Sequence, residues 1–153
     1  MIRVLFVCLG NICRSPMAEG VFQHKAREAG LEKQIETDSA GTGHWHIGSQ
    51  PHPGTRRLLA EKGITYYHLA RQFDRDDLNQ FDYILTMDED NYTDVQALGS
   101  GTAKVERMLD YAPHLGVRDV PDPYHTNRFE EVYDLIDTAA NGLLSAIRKE
   151  NNL

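Results

Sequence analysis

The segment from residue 2 to residue 16 constrains the fold of this chain more than any other part of the sequence. It begins with IRVLFV, continues through CLGNICR and reaches Ser15-Pro16. The β-branched and aromatic residues at its start are typical of a buried parallel strand. Serine is favoured at the start of a helix and proline is tolerated in the first turn. The segment therefore predicts a strand that turns directly into a helix through a short loop.

Strand and helix signals alternate along the rest of the 153 residues, without internal repeats or a linker. Further strands are predicted at 35–39, 81–87 and 104–109, and helices at 16–30, 53–63, within 88–98, and 129–148. The stretch VPDPYH at 120–125 contains two prolines and is predicted to be an irregular, constrained loop. The alternation favours one α/β domain, residues 1–153, with a parallel sheet. In such sheets ligands bind at the carboxyl ends of the strands, which is where the first loop lies.

The composition argues against several classes of function. The formal net charge of −7 disfavours nucleic acid as a general partner. No apolar run approaches the roughly 18 residues that a membrane span needs, and the N-terminal run is too short for a signal peptide. We therefore expect a cytoplasmic protein with no membrane partner. Thiols stay reduced in that compartment, so Cys8 and Cys13 are expected to be reactive or inert rather than joined in a structural disulfide.

The loop CLGNICR has the properties of an anion-binding site. Its main-chain N–H groups and the helix start present partial positive charge. Gly10 permits a close backbone approach, Asn11 tolerates a left-handed backbone, and Arg14 offers a planar fork that matches two phosphate oxygens. The same positive charge favours the ionised form of Cys8, to whose sulfur Ser15 can donate a hydrogen bond. The pattern predicts a thiolate nucleophile below a tetrahedral oxyanion.

The spacing of Cys8 and Arg14 is by itself a weak indicator, because a chain with eleven arginines and two cysteines produces it by chance fairly often. The alternative is a buried cysteine at a strand end and a solvated arginine. The strand before the loop, the glycine and asparagine within it and the Ser-Pro helix start after it favour the phosphate-binding interpretation.

CLGNICRSP resembles the signature loop of the low-molecular-weight protein tyrosine phosphatases. DSAGT at 38–42, HLARQ at 68–72, FDYILTMDEDN at 81–91 and DPY at 122–124 are similar to other blocks of that family, so the resemblance covers the whole chain. It implies a three-layer domain in which helices flank a four-stranded parallel sheet, with the phosphate-binding loop after strand 1. It also implies hydrolysis of phosphotyrosine and small aryl phosphates through a covalent phosphocysteine intermediate, without a metal or other cofactor. Phosphotyrosine-containing proteins are then the expected substrates.

The resemblance also implies a role for each site residue. Cys8 is the expected nucleophile, Arg14 binds phosphate, and Asp122 is the general acid and then the general base. A phenolate whose conjugate acid has a pKa near 10 leaves slowly without a proton, so an acid is chemically required. Considered alone, Asp122 between Pro121 and Pro123 is more typical of an ordinary turn than of a catalytic acid, and it is the resemblance that favours the acid.

The remaining site residues follow the same resemblance. A hydrogen-bond network that holds the loop is implied at Asn11, Ser15, Ser39 and His68, and the phosphate and substrate contacts at Leu9, Gly10, Asn11, Ile12, Cys13, Ser15, Trp45 and Tyr124. From the residues alone, Ser39 and His68 would be structural, and Trp45 would be a core aromatic as readily as a substrate contact. Relatives that act on phosphoarginine tend to carry threonine at position 12, so isoleucine there indicates phosphotyrosine.

Several alternatives stay open at this level. Cys13 is either a second thiol that traps oxidised Cys8 as a reversible disulfide or a small buried residue at a helix start. An arsenate reductase on the same scaffold would need cysteines late in the chain, and none follows Cys13. A non-catalytic phosphate-binding module would need no acid. The histidines at 44, 46 and 52 lack further ligands at recognised spacing, so we predict no metal site. The sequence favours no particular oligomeric state.

Overall fold

The computed structural model describes all 153 residues. In chain order its elements are β1 (Ile2–Cys8), α1 (Arg14–Glu28), β2 (Ile35–Gly41), α2 (Pro53–Glu61), α3 (Asp77–Gln80), β3 (Tyr83–Thr86), α4 (Glu89–Ala97), β4 (Lys104–Arg107), two 3₁₀ turns (Met108–Tyr111 and Pro113–Leu115), α5 (Pro123–Thr126) and α6 (Phe129–Asn151). None of the helices combines the length and the apolar character that crossing a membrane requires.

The four strands form a parallel sheet in the order β2-β1-β3-β4. β1 is an inner strand, and its residues from Val4 to Val7 are fully buried, as its continuous apolar sequence predicts. In the register, Cys8 pairs with Gly41 of β2 and Val7 pairs with Thr86 of β3. The carboxyl ends of three strands therefore meet at one edge of the sheet, and the loop that follows β1 lies at this edge.

Helices cover both faces of the sheet. On one face, Val4 and Phe6 of β1 pack in the larger core cluster with buried residues of α1, α2 and α6. On the other face, Leu5 and Val7 pack with residues of α3, β3 and α4 in a smaller cluster. Alternate residues of β1 thus point to opposite layers. The predicted three-layer α/β fold, with a four-stranded parallel sheet and the loop after strand 1, is confirmed.

The segment VPDPYH is not irregular throughout, and that prediction is wrong. Pro123–Thr126 forms one helical turn, α5, and Asp122 caps it by accepting a hydrogen bond from the main-chain N–H of Tyr124 at 3.1 Å. Pro123 occupies the first helical position, where the missing N–H has no helical partner to lose. The second proline therefore starts a helical turn rather than excluding one.

Candidate active site

The loop of residues 8–14 curls around a concave space at the carboxyl edge of the sheet. Asn11 has a φ of 57°, in the left-handed region, as the sequence predicts for this turn. β2 approaches the loop closely: a Cβ atom at Gly41 would lie 2.7 Å from the carbonyl oxygen of Leu9. The N–H of Thr42 donates to the carbonyl of Cys8 at 2.9 Å. The glycine at the end of β2 therefore lets the chain support the loop through its backbone.

Cys8 lies at the base of this space, with 2% of its surface exposed. The N–H of Asn11 donates to its Sγ at 3.3 Å, and the hydroxyl of Ser15 lies 3.1 Å from the same sulfur. The Ser15 oxygen already accepts from Asn11 Nδ2 at 2.8 Å, and its own hydrogen has two acceptors within reach, the sulfur at 3.1 Å and the carbonyl of Ala40 at 3.4 Å. Donors that face a sulfur stabilise negative charge on it. The surroundings of Cys8 therefore place a main-chain N–H and a hydroxyl against its sulfur, and its role as the nucleophile stays a prediction.

The side chain of Asn11 makes all four hydrogen bonds that an amide can make. Its Nδ2 donates to the hydroxyls of Ser15 at 2.8 Å and Ser39 at 3.0 Å. Its Oδ1 faces His68 Nε2 at 2.8 Å and accepts from the N–H of Arg71 at 3.0 Å. The Arg71 N–H requires an acceptor, which fixes the orientation of the amide and makes His68 Nε2 a donor. The residues predicted as a supporting network are thus brought together behind the loop.

Two residues that the sequence analysis missed lie behind this network. Glu19 of α1 is only 5% exposed, and its carboxyl group accepts hydrogen bonds from Tyr66 Oη at 2.5 Å and Thr37 Oγ1 at 2.9 Å. Burial raises the pKa of Glu19 above its ordinary value, and burial followed by the charge of Glu19 raises the pKa of Tyr66. Burial also lowers the pKa of His68, which favours its neutral form.

These groups also form the structure's one cluster with potential metal ligands. Ligand atoms of Glu19, Asp38 and His68 lie within 4.8 Å of one another. Glu19 is already engaged with Tyr66 and Thr37, and Asp38 Oδ2 accepts from Arg71 Nε at 3.0 Å. These donors are protein groups that satisfy the carboxylates without an ion. The cluster is accounted for as support for the loop, and the absence of a metal requirement stays a prediction.

Arg14 and Asp122 approach each other at the side of the space. Arg14 is 3% exposed, and its Nη1 donates to Asp88 Oδ2 at 2.6 Å and to the carbonyl of Val120 at 2.9 Å. Its Nη2 lies 3.7 Å from Asp122 Oδ2. Asp122 uses its other oxygen, Oδ1, to cap α5. Asp122, which is 108 positions from Arg14 in the sequence, is therefore brought to the same site, and its Oδ2 takes no part in the cap.

Together these elements enclose a cavity of about 290 Å³, whose walls are mainly apolar and aromatic. Among the predicted contacts, it is lined by Cys8, Leu9, Gly10, Ile12, Cys13, Arg14, Trp45, Asp122 and Tyr124. Asn11 and Ser15 lie behind the loop rather than on the cavity wall. Trp45 is 65% exposed, so it is a rim residue and not a core aromatic.

The cavity wall also includes His46 and His125, which the sequence analysis did not select. A Cβ atom at Gly10 would lie 3.0 Å from the His46 ring, so a larger residue at position 10 would require this ring to shift. Both histidines are close to Tyr124, with ring centroids 6.3 Å and 5.3 Å away. They extend the aromatic rim of the cavity.

Cys13 is buried beside the cavity as a free thiol. Burial, together with the negative charges of Cys8 and Asp122, raises the pKa of its thiol to about 12. Cys13 is therefore protonated near neutral pH and is a poor nucleophile. Its position agrees with a small buried residue at the helix start, and the proposed redox role stays a prediction.

The whole chain, and not only the site, is similar to known proteins. The family model described as low molecular weight phosphotyrosine protein phosphatase matches residues 3–153. The low molecular weight protein-tyrosine-phosphatase YfkJ of Bacillus subtilis is 50% identical over 156 residues, with 100% of both chains covered. Its crystal structure matches with a TM-score of 0.96, covering 99% of this chain and 97% of that one.

More distant proteins match over similar lengths. A low molecular weight protein-tyrosine-phosphatase of Streptomyces coelicolor is 42% identical, over 97% of this chain and 94% of that protein. The crystal structure of a Drosophila arginine phosphatase is 30% identical with a TM-score of 0.91, covering 96% of this chain and 98% of that one.

Proposed function

The chain belongs to the low molecular weight phosphotyrosine protein phosphatase family, and from that premise we propose that Cys8, Arg14 and Asp122 hydrolyse phosphotyrosine in proteins. The observation that carries this assignment is their common cavity, in which a sulfur with two facing donors lies at the base and a guanidinium and a carboxylate lie at the side. Four other cavities of comparable size contain no thiol.

The first step is transfer of the phosphoryl group to sulfur. Arg14 and the N–H groups of the loop bind the phosphate oxygens, and the Cys8 thiolate attacks phosphorus opposite the ester oxygen. An S–P bond forms while the P–O bond to the phenol breaks. Asp122 Oδ2, which the helix cap leaves free, gives its proton to the departing oxygen.

The second step returns the enzyme to its starting state. Water attacks phosphorus and gives a proton to Asp122, the S–P bond breaks, and phosphate leaves. The sulfur departs as a thiolate, which the Asn11 N–H and the Ser15 hydroxyl stabilise. The charges that this cycle needs are supplied by residues of the chain, so we propose that it proceeds without a metal or cofactor.

The cavity walls favour an aryl phosphate over phosphoarginine. Ile12 lines the cavity and offers no hydrogen-bonding group to a guanidinium. Leu9, Trp45 and Tyr124 add apolar and aromatic surface suited to a phenyl ring. The similarity to an arginine phosphatase nevertheless makes phosphoarginine the substrate against which phosphotyrosine is to be compared.

We also propose a cytoplasmic location. Its support is chemical: Cys8 must remain reduced to attack phosphorus, and both cysteines of the chain are free thiols.

The test is steady-state hydrolysis of para-nitrophenyl phosphate, a phosphotyrosine peptide and a phosphoarginine peptide. We expect the wild type to prefer the first two, to be unaffected by EDTA and to be inhibited by orthovanadate. Cys8→Ser should abolish turnover, because the hydroxyl is not ionised at neutral pH. Cys13→Ser is the matched control and should retain turnover. Undiminished hydrolysis by Cys8→Ser would refute the assignment, and preferential release of phosphate from phosphoarginine would replace the substrate class.

A further inference from the structure

A second cavity, of about 440 Å³, adjoins the proposed phosphate site at the start of α4. The carboxylates of Asp88, Asp90 and Asp94 line it, and we call it the α4 recess. Its walls include Arg14 and Asp122, which also line the active-site cavity. A peptide whose phosphotyrosine enters the active site therefore passes next to the α4 recess.

The α4 recess holds more negative charge than its own cation neutralises. Arg14 is the one cationic residue that lines it, and this side chain is already paired with Asp88 at 2.6 Å and lies 3.7 Å from Asp122. Asp90 and Asp94 are exposed and form no ion pair. They also lie four residues apart on α4, a spacing at which like charges weaken a helix.

An unsatisfied buried amide points to a ligand independently of this charge. Asn91 lines the recess, and only 1% of the residue is exposed. Its main-chain N–H donates to Asp88 Oδ1 at 2.8 Å, but its side-chain Oδ1 accepts no hydrogen bond. A buried acceptor without a donor is uncommon and costly in a folded protein. The group that Asn91 lacks is an N–H or O–H donor.

We propose that the α4 recess binds a lysine or arginine side chain of the substrate, close to its phosphotyrosine. The inference rests on the proposed phosphatase function and specifies the class of phosphoprotein. A cationic side chain brings both missing features, positive charge opposite Asp90 and Asp94 and N–H donors for Asn91 Oδ1. It also offsets the repulsion between the carboxylates of the recess and the phosphate dianion in the adjoining site.

The experiment compares two phosphotyrosine peptides of equal length. One carries two lysines on each side of the phosphotyrosine and the other carries glutamines there, so that either direction of the bound peptide is tested. At low ionic strength we expect the wild type to cleave the lysine peptide with a kcat/KM about fivefold higher, as expected for two exposed ion pairs. Added salt should reduce this preference, because exposed charges are screened.

The decisive variant is the double substitution Asp90→Asn, Asp94→Asn. It should bring the ratio of the two kcat/KM values close to one and should not lower the hydrolysis of para-nitrophenyl phosphate. The matched control is Asp74→Asn, Asp76→Asn, which changes the net charge equally but alters a different cavity. The control should retain the preference for lysine.

Each outcome decides between the two levels of the proposal. Equal cleavage of both peptides by the wild type would overturn the inference about the recess while leaving the phosphatase function intact. If the wild type cleaved neither peptide nor para-nitrophenyl phosphate, the proposed phosphatase function would instead be refuted. A lysine preference that survives in the Asp90, Asp94 variant, or that disappears equally in the control, would assign it to the overall charge. Calorimetric binding of Ca²⁺ or Mg²⁺ that the double variant abolishes would identify a metal ion as the occupant and refute the inference.

Discussion

Asn11 offers the sharpest test of how the loop is held in shape. Asn11→Ala leaves two donors, the N–H of Arg71 and Nε2 of His68, without their acceptor. Each orphaned donor costs about 1–3 kcal/mol if it stays buried. Alanine at a φ of 57° adds strain of about 1–2 kcal/mol. The hydroxyls of Ser15 and Ser39 have other neighbours and contribute less. We therefore expect a loss of about 3–8 kcal/mol in the free energy of unfolding.

Asn11→Gly separates the two causes, because glycine removes the same hydrogen bonds but tolerates the left-handed backbone. Its greater freedom in the unfolded chain offsets part of that gain. Glycine should therefore be about 0.5–1 kcal/mol more stable than alanine at this position. Urea denaturation followed by circular dichroism measures both values, and kcat for para-nitrophenyl phosphate should fall in both variants. A loss below about 1 kcal/mol for alanine, or a glycine variant no more stable than alanine, would refute the reasoning.

Two further predictions concern Asp122, the proposed general acid, and His52, which caps α2. Asp122→Asn should slow hydrolysis of a phosphate ester with a poor leaving group by about 10²–10⁴-fold, and slow esters of acidic phenols much less; equal losses across a series of leaving groups would contradict a proton-transfer role. His52→Ala should lower the free energy of unfolding by about 1 kcal/mol, because His52 Nδ1 caps α2 by accepting from the N–H of Gly54 at 2.9 Å. Asparagine is also a good cap, so His52→Asn should keep most of this stability. Burial lowers the pKa of His52 below its ordinary 6.5, so the folded state binds this proton less readily than the unfolded chain. The wild type should therefore lose the stability due to His52 as pH falls below about 6.5, a pH dependence that His52→Asn lacks in matched urea titrations.

The first strand, the loop and the start of α1 could be predicted because their signals are local. The left-handed backbone at Asn11 follows from the residue type, and the burial of β1 follows from its apolar sequence. The approach of Asp122 to Arg14 depends on how the chain returns to the sheet edge, and only the family resemblance led to it. The roles of all three proposed catalytic residues stay predictions until variants are measured.

Glu19 and Tyr66 could not be predicted from local sequence, because a glutamate in a helix is normally solvated. Glu19 becomes buried when the distant segment containing Tyr66 folds over α1. One signal was available: Gly20 lies in the interior of α1, where glycine does not serve as a cap and is unfavourable. A Cβ atom there would lie 3.3 Å from the Tyr66 ring and 3.1 Å from Leu59, so the glycine marks the close approach that encloses Glu19.

The exposed position of Trp45 on the cavity rim gives this molecule its own optical probe. It is the one tryptophan of the chain, so no second indole contributes to the tryptophan emission. Occupation of the neighbouring cavity changes the polarity around that ring without any added label. Titrating vanadate into the active enzyme, or a phosphopeptide into inactive variants, while following this fluorescence therefore yields dissociation constants.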